Sequence, residues 1–150
     1  MAHIHEKIDF TASVYIVREG KVLLHFHKKL QKWLQPGGHI ELDEDPNQAA
    51  IREAKEETGF QVELVGGERL ASLQDDASDL VPPRYLNRHS FNETHEHVDC
   101  VYFARIVGGV EQAEEGAELR WFSESDLVEN GVGVNPATRA YALAALSALA

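Results

Sequence analysis

The stretch that decides the fold runs from residue 38 to residue 60 and reads GHIELDEDPNQAAIREAKEETGF. Its glycines and charged residues follow the spacing G-x5-E-x7-R-E-x-x-E-E-x-G, and an apolar residue comes next. The seven fixed positions are Gly38, Glu44, Arg52, Glu53, Glu56, Glu57 and Gly59. Seven fixed identities match a given window by chance with odds on the order of 10⁻⁹. The spacing therefore points to chemistry and not to average composition.

The middle of this stretch predicts a helix from residue 46 to residue 58. Asp45 is a good N-cap, Pro46 suits the first helical position, and Gln48 completes a capping box. Gly59 fits the left-handed position that ends many helices. Both ends of the helix are therefore specified within the stretch.

Three glutamates share one face of that helix. Glu53, Glu56 and Glu57 stand at i, i+3 and i+4, so their carboxylates project together and repel one another. A cation among them would relieve the repulsion, and oxygen ligands suit Mg²⁺ or Mn²⁺. A solvated acidic face is the alternative, and it would be favoured for the EAKEE segment alone. The caps, the glycines and the outlying Glu44 favour the metal site.

Two neighbouring features support a metal site. Arg52 lies four residues before Glu56 and can hold a carboxylate through paired hydrogen bonds, with Glu44 on the other side of the guanidinium. The Gly37–Gly38 pair lets the backbone come close to a ligand, so a main-chain carbonyl could join the metal shell.

The pattern resembles the Nudix box, the signature of hydrolases that cleave nucleoside diphosphates linked to another moiety. By this resemblance, the metal ligands are the carbonyl of Gly37 and the carboxylates of Glu53, Glu56 and Glu57. The implied catalytic residues are Glu53, Glu57, Arg52 and Glu44. One departure is Ala54, which stands where the family usually has a bulkier aliphatic residue. That position only packs, so the departure concerns fit and not chemistry.

The rest of the chain alternates strand-like and helix-like segments. Strands are predicted at 10–18, 21–27, 39–42, within 60–73, and at 85–91, 98–107 and 119–122, with an exposed loop at 74–83. A brief helix capped by Ser123 and a final helix capped by Asn135 follow. This order predicts an α/β fold with a mixed central sheet covered on both faces. It is similar to the Nudix α/β/α sandwich, formed here as a single domain over residues 1–150.

Composition limits the partners and the compartment. The 150 residues include 14 basic and 25 acidic side chains, a net charge of −11. That charge argues against general nucleic-acid binding, although a divalent ion can still attract a phosphorylated small molecule. Cys100 is the single cysteine, and neither a membrane-spanning run nor a signal peptide is found. A cytoplasmic enzyme without a membrane partner is predicted.

The predicted reaction is attack of water on a phosphorus of a diphosphate bridge, and a carboxylate must accept the proton. Glu53 is one candidate for this base. The alternatives are Glu118, Glu96 and Asp99. For the substrate, Arg84 and Arg88 are candidates for phosphate binding and Trp33 is a candidate for base stacking.

Histidines form two further groups. The first consists of His89, His95 and His97 with Asp99. Of these, His95, His97 and Asp99 would share one face of an extended strand, but the spacing matches no closed zinc pattern. A polar strand end that contacts substrate is favoured over a transition-metal site. Packing is the default explanation for His25 and His27.

The sequence does not select the substrate. By the family resemblance, Asp75 and Asp76 stand where ADP-sugar and dinucleoside-polyphosphate subgroups carry proline or tyrosine, which disfavours both subgroups without selecting another. A nucleoside triphosphate or a nucleotide-sugar is the broad expectation. Three other functions stay open: a nucleotide-sensing domain without catalysis, hydrolysis of the 5′ end of RNA, and an interaction module. A homodimer also stays open, because core packing explains the apolar face of the last helix equally well.

Overall fold

The computed structural model describes residues 6–70, 75–129 and 133–150. The strands are β1 (Ile8–Arg18), β2 (Lys21–His27), β3 (Lys32–Leu34), β4 (Gly37–His39), β5 (Phe60–Val65), β6 (Tyr85–Ser90), β7 (Glu96–Gly109) and β8 (Glu118–Ser123). The helices are α1 (Pro46–Thr58), α2 (Glu124–Glu129) and α3 (Pro136–Leu149). Among these helices, none combines the length and the hydropathy that a membrane span requires.

The strands form one mixed sheet in the order β3-β2-β1-β7-β5, with β4 paired to β1, β6 to β7 and β8 to β2. β1 and β7 run parallel, in register from Ile8 opposite Glu96 to Ile16 opposite Ala104. The other pairs are antiparallel. The prediction of a mixed central sheet is confirmed.

The two faces of the sheet carry separate cores. On one face, the alanines of α1 pack on alternate residues of β1, β5 and β7. On the other face, α2 and α3 cover the intervening residues, and Leu127, Leu146 and Leu149 are buried there. Burying one such leucine contributes about 1.5–3 kcal/mol relative to leaving it exposed. The α/β fold is therefore the predicted three-layer arrangement.

Helix α1 has the predicted bounds and caps. The carboxylate of Asp45 accepts from the backbone N–H of Gln48 at 2.9 Å, and the side chain of Gln48 accepts from the backbone N–H of Asp45 at 2.9 Å. Gly59 ends the helix with φ of 80°, the left-handed conformation that glycine adopts without strain. These caps fix where the acidic face of α1 begins and ends.

Several strand predictions are corrected. The strand predicted at 39–42 is instead β4, which starts at Gly37. Gly37 pairs closely with β1, where a Cβ atom would be 2.5 Å from the Ala12 carbonyl oxygen, so only glycine allows the strand to begin there. Strand β3 was not predicted, and β7 is longer than expected. The predicted strand material at 60–73 ends at Val65, and the final part of it, residues 71–73, lies outside the described residues, as does residue 74 of the predicted loop.

Candidate active site

Arg52 donates hydrogen bonds to three acidic side chains, two on α1 and one in the loop that precedes it. Its Nε and Nη2 donate to the two carboxylate oxygens of Glu44 at 3.0 and 2.6 Å. Its Nη1 donates to Glu53 at 2.9 Å and to Glu56 at 3.2 Å. The hydrogen bonds from Arg52 lower the pKa of Glu44. The structure thus brings together four residues that the sequence placed in one site, with their carboxylates held in fixed orientations.

The glutamates of α1 differ in their surroundings. The side chains of Glu53 and Glu57 are 12 % and 14 % exposed, whereas that of Glu56 is 52 % exposed. Gly38 faces Glu53 so closely that any Cβ at this position would overlap the carboxylate. The backbone N–H of Gly37 donates to Glu57 at 3.2 Å. The two inner carboxylates therefore lie against the glycine strand β4, and Glu56 lies at the rim.

The inner pair is electrostatically crowded. Burial, followed by the charges of Glu53 and Glu114, raises the pKa of Glu57 to about 9. Two carboxylates in such a place cannot both ionise readily unless a cation accompanies them. Because all these donors are hard oxygens, they fit Mg²⁺ or Mn²⁺.

Two residues near this pair were missed in the sequence. Glu114 lies between β7 and β8 and acts on Glu57 through its charge. His25, which was expected only to pack, has its Nε2 3.5 Å from a carboxylate oxygen of Glu57 and 3.2 Å from the Gln35 carbonyl. The acidic run around Glu114 could have indicated a further acid near the site. Nothing in the sequence around His25 indicates its contact with Glu57.

Two of the alternative bases, Glu96 and Glu118, lie on strands β7 and β8. Glu96 pairs with Lys7 at 3.2 Å and with Arg88. Glu118 begins β8, is exposed, and stands opposite Phe26. Arg88, a predicted phosphate ligand, is therefore engaged by an acid at the start of β7.

The other predicted substrate residues also have partners in the protein. The guanidinium of Arg84 lies over the ring of Phe103, 5.4 Å from its centroid. Trp33 packs against Phe26 and Phe122, with ring centroids 5.3 Å apart in both pairs. These contacts do not bring either residue to the glutamates of α1.

Asp99 lies on the opposite face of the sheet from α1. Its two oxygens accept from the hydroxyls of Thr11 and Ser13, both at 2.8 Å. Ser13 accepts from the Gln35 side chain at 3.0 Å, and Gln35 accepts from Thr138 of α3 at 2.6 Å. A buried polar network therefore connects the sheet to α3.

The histidine group is composed differently from the prediction. His97 has His39 and His89 as neighbours, with ring centroids 5.3 Å away in each case. His95 precedes β7 and contacts Thr94 instead, while Asp99 is occupied by hydroxyls. Burial, followed by the neighbouring His89 and His39, lowers the pKa of His97. His39 was missed because the pairing of β4 with β1 was not evident in the sequence.

Two curated proteins with similar sequences are both named as pyrophosphohydrolases. The chain is 34% identical over 119 residues to a protein of Lactococcus lactis named "Probable DHNTP pyrophosphohydrolase", covering 79% of this chain and 65% of that protein. It is 34% identical over 104 residues to an RNA pyrophosphohydrolase of Roseobacter denitrificans, covering 65% of this chain and 64% of that protein. The chain thus spans slightly less than two thirds of the length of these two curated relatives.

A solved structure agrees over the whole length. The crystal structure of a hydrolase of the NUDIX family from Clostridium perfringens superposes with a TM-score of 0.81 at 34% identity, covering 98% of this chain and 100% of that one. The family model described as the NUDIX domain matches residues 8–143. With its glutamate helix set against the glycine strand β4, the chain belongs to the Nudix family.

Proposed function

We propose that the protein is a metal-dependent pyrophosphohydrolase, formed as a single domain, that cleaves the diphosphate linkage of a nucleoside diphosphate derivative. The observation that carries this proposal is the half-buried pair Glu53 and Glu57, which lies against Gly38 and Gly37. There, burial and then the charge of Glu53 raise the pKa of Glu57 to about 9. Ionising both carboxylates is unfavourable when no cation is bound, and a divalent ion between them makes it favourable.

The residues proposed to hold Mg²⁺ or Mn²⁺ are Glu53, Glu56, Glu57 and the carbonyl of Gly37. When bound, such an ion neutralises phosphate oxygens and lowers the pKa of a water molecule. Arg52 acts as a positioning residue, because it fixes Glu44, Glu53 and Glu56 through four hydrogen bonds to their carboxylates. Removing this guanidinium would let the carboxylates rotate away from the ion.

A carboxylate near the inner pair is proposed as the general base. Glu53 and Glu57 are candidates by position, and Glu114 is a third because its charge reaches Glu57. Such a base must lie within hydrogen-bond reach of the attacking water. Glu118, Glu96 and Asp99 stay predictions for this role. The carboxylate of Glu96 pairs with Lys7, and that of Asp99 accepts from Thr11.

A small nucleotide, either a nucleoside triphosphate or a nucleotide-sugar, is the proposed substrate class. The names of the Lactococcus and Roseobacter relatives both describe pyrophosphohydrolases, which supports attack on a diphosphate bond. The net charge of −11 favours a small substrate over a long nucleic acid. A cytoplasmic location stays a prediction, as do the roles of Arg84, Arg88 and Trp33 in substrate binding.

The test is a substrate panel with and without metal. The purified protein is incubated with nucleoside triphosphates, DHNTP, nucleotide-sugars and 5′-triphosphorylated RNA in Mg²⁺ or in a chelator. Released phosphate and pyrophosphate are measured, and for the nucleotide-sugars the released nucleoside monophosphate and sugar phosphate are measured instead. We expect release from at least one small nucleotide in Mg²⁺ and none with the chelator. Glu63→Gln, an exposed acid on β5, is the matched control and should retain full activity.

Other outcomes would redirect or overturn the proposal. Release from RNA alone would make the 5′ end of RNA the substrate. Tight nucleotide binding without release from any compound would support a sensing domain. Metal-independent release would contradict the role of the glutamates.

A further inference from the structure

A second group of potential metal ligands lies on the α3 face of the sheet, away from the glutamates of α1. In the described part of the chain, one nitrogen of His39, one nitrogen of His97 and one oxygen of Asp9 lie within 4.8 Å of one another. His39 Nε2 is 3.8 Å from Asp9 Oδ2. Among the described residues no other three such atoms come this close together, and the carboxylates of Glu53, Glu56 and Glu57 are more widely spaced.

Strand register alone brings these side chains together. Asp9 of β1 stands directly opposite His97 of β7, and His89 of β6 stands opposite His97 on its other side. His39 of β4 stands opposite Thr11, two residues along β1 from Asp9 and therefore on the same face. The backbone register therefore places one carboxylate and three imidazoles on the same face of four neighbouring strands.

We propose that Asp9, His39 and His97 form a binding site for a transition-metal ion of the Zn²⁺ class, with His89 as an adjacent third imidazole.

The donor atoms decide which ion this site takes. Two imidazole nitrogens and one carboxylate suit Zn²⁺, Co²⁺ or Ni²⁺, whereas Mg²⁺ prefers oxygen donors alone. Three protein ligands leave one tetrahedral position for water or for an anionic ligand. The glutamate cluster and the histidine cluster therefore select different ions from the same solution.

The present separations need only small adjustments. Tetrahedral ligands at about 2.0–2.1 Å from an ion lie roughly 3.3–3.4 Å from one another. The side chains of His39 and Asp9 are 61 % and 39 % exposed, so they can rotate inward and an ion can enter from solvent. The ring of His97 is held by Phe91, which stacks on it at a centroid distance of 4.9 Å. One ligand is therefore fixed and two can adapt.

The histidine cluster is also connected to the glutamate site. The backbone carbonyl of His39 accepts from Arg52 at 3.1 Å, while the preceding Gly38 faces Glu53. Strand β4 thus has a histidine ligand on the α3 face and the glutamate contact on the α1 face. The two clusters lie on opposite faces, so each can be removed without removing the other.

The test measures metal binding and not turnover. Zn²⁺ is titrated calorimetrically into chelator-treated protein carrying Glu53→Gln and Glu57→Gln, which removes the site with oxygen donors. His3 and His5, which lie outside the described residues, are replaced by alanine in the same protein so that their imidazoles do not contribute. We expect one Zn²⁺ per chain in this background, and Co²⁺ in its place should give the intense visible absorption of a tetrahedral site.

Three substitutions then address the site itself. His97→Ala and His39→Ala should each weaken Zn²⁺ binding at least about tenfold, because even partners that only support metal ligands are worth 10–100-fold in affinity. Asp9→Asn should weaken it as well. His27→Ala, an imidazole on β2 outside the cluster, is the matched control and should leave binding unchanged.

Melting temperatures measured without metal identify any variant that fails to fold. If His97→Ala fails to fold, the exposed His39 and the half-buried Asp9 still provide the test. Unchanged Zn²⁺ affinity in His39→Ala and Asp9→Asn would overturn the proposal, as would the absence of Zn²⁺ binding in the starting background. Neither result would bear on the hydrolase, since this background lacks Glu53 and Glu57.

Discussion

The two faces of the sheet were assembled in different ways. On the α1 face, the site comes mainly from the single stretch 38–60, in which caps, glycines and acids follow a fixed spacing. On the α3 face, the polar groups come from strands far apart in the chain, such as Thr11 and Asp99, which are 88 residues apart. The first kind of site can be recognised from sequence, whereas the second appears only when the strand register is known.

The strongest test of this contrast is Glu57→Gln. If chemistry resides on the α1 face, this change lowers turnover by about 10²–10⁴-fold, the usual range for an essential acid or base. Steady-state kinetics in Mg²⁺ measures it, and without metal the variant should melt no lower than the unmodified protein, because the amide fills the same space and does not ionise. Glu63→Gln is the control. Near-normal turnover in Glu57→Gln would move the reaction away from this face.

The next largest effect is expected for Gly38→Ala. The added methyl group would overlap the carboxylate of Glu53, so this side chain must rotate out of place. Turnover should fall about 10–100-fold, as when a partner that orients a metal ligand is lost. Gly67→Ala is the control, since the added atom there meets its nearest neighbour at 3.4 Å. Equal activity in the two variants would show that Glu53 need not lie against β4.

The pH dependence of stability sharpens the contrast further. The pKa of Glu57 is raised from its usual 4.5 to about 9, so the folded chain binds more protons than the unfolded chain between these values. Stability without metal should therefore fall as the pH rises through this window, by at most about 1.4 kcal/mol per pH unit from this group.

Urea denaturation in a chelator at several pH values measures this slope. Glu57→Gln should show a shallower fall than the unmodified protein, because the amide does not titrate. Adding Mg²⁺ should restore stability mainly at high pH. Parallel slopes for the two proteins would contradict the raised pKa.

The smallest effect on turnover is expected from the other face. Asp99→Asn weakens two hydrogen bonds from Thr11 and Ser13, which should cost about 1–3 kcal/mol of folding stability. Turnover should change less than about tenfold, because the carboxylate lies on the face away from α1. Denaturation and kinetics test this, with the exposed Asp43→Asn as control. A loss as large as that of Glu57→Gln would place the base on the α3 face.

Local chemistry explains which predictions succeeded. The bounds and caps of α1 follow from neighbouring residues, so Asp45 and Gly59 indicated them correctly. The strand predicted at 39–42 was displaced because its position depends on how closely Gly37 approaches β1. The contact of His25 with Glu57 depends on how β2 sits beside α1, and no local pattern indicates it.

The histidine cluster shows the same limit. His97 was noticed for its spacing to His95 and Asp99, yet its neighbours are residues of three other strands. Their pairing could not be inferred without the register of β1, β4, β6 and β7. The acidic run containing Glu114 was visible, but its proximity to Glu57 depends on where the segment after β7 returns.

The parallel pairing of β1 with β7 also has a consequence during synthesis. Ile8 pairs with Glu96, which follows it by 88 residues (96 − 8). The central strands β1 and β7 therefore cannot pair until Glu96 has been synthesised. At about 5–20 residues per second, a ribosome needs roughly 4–18 seconds to deliver that partner. Until then, a long apolar strand presents an open hydrogen-bonding edge to other chains. We therefore expect the nascent polypeptide to be most exposed to edge-to-edge pairing after α1 has emerged and before β7 has.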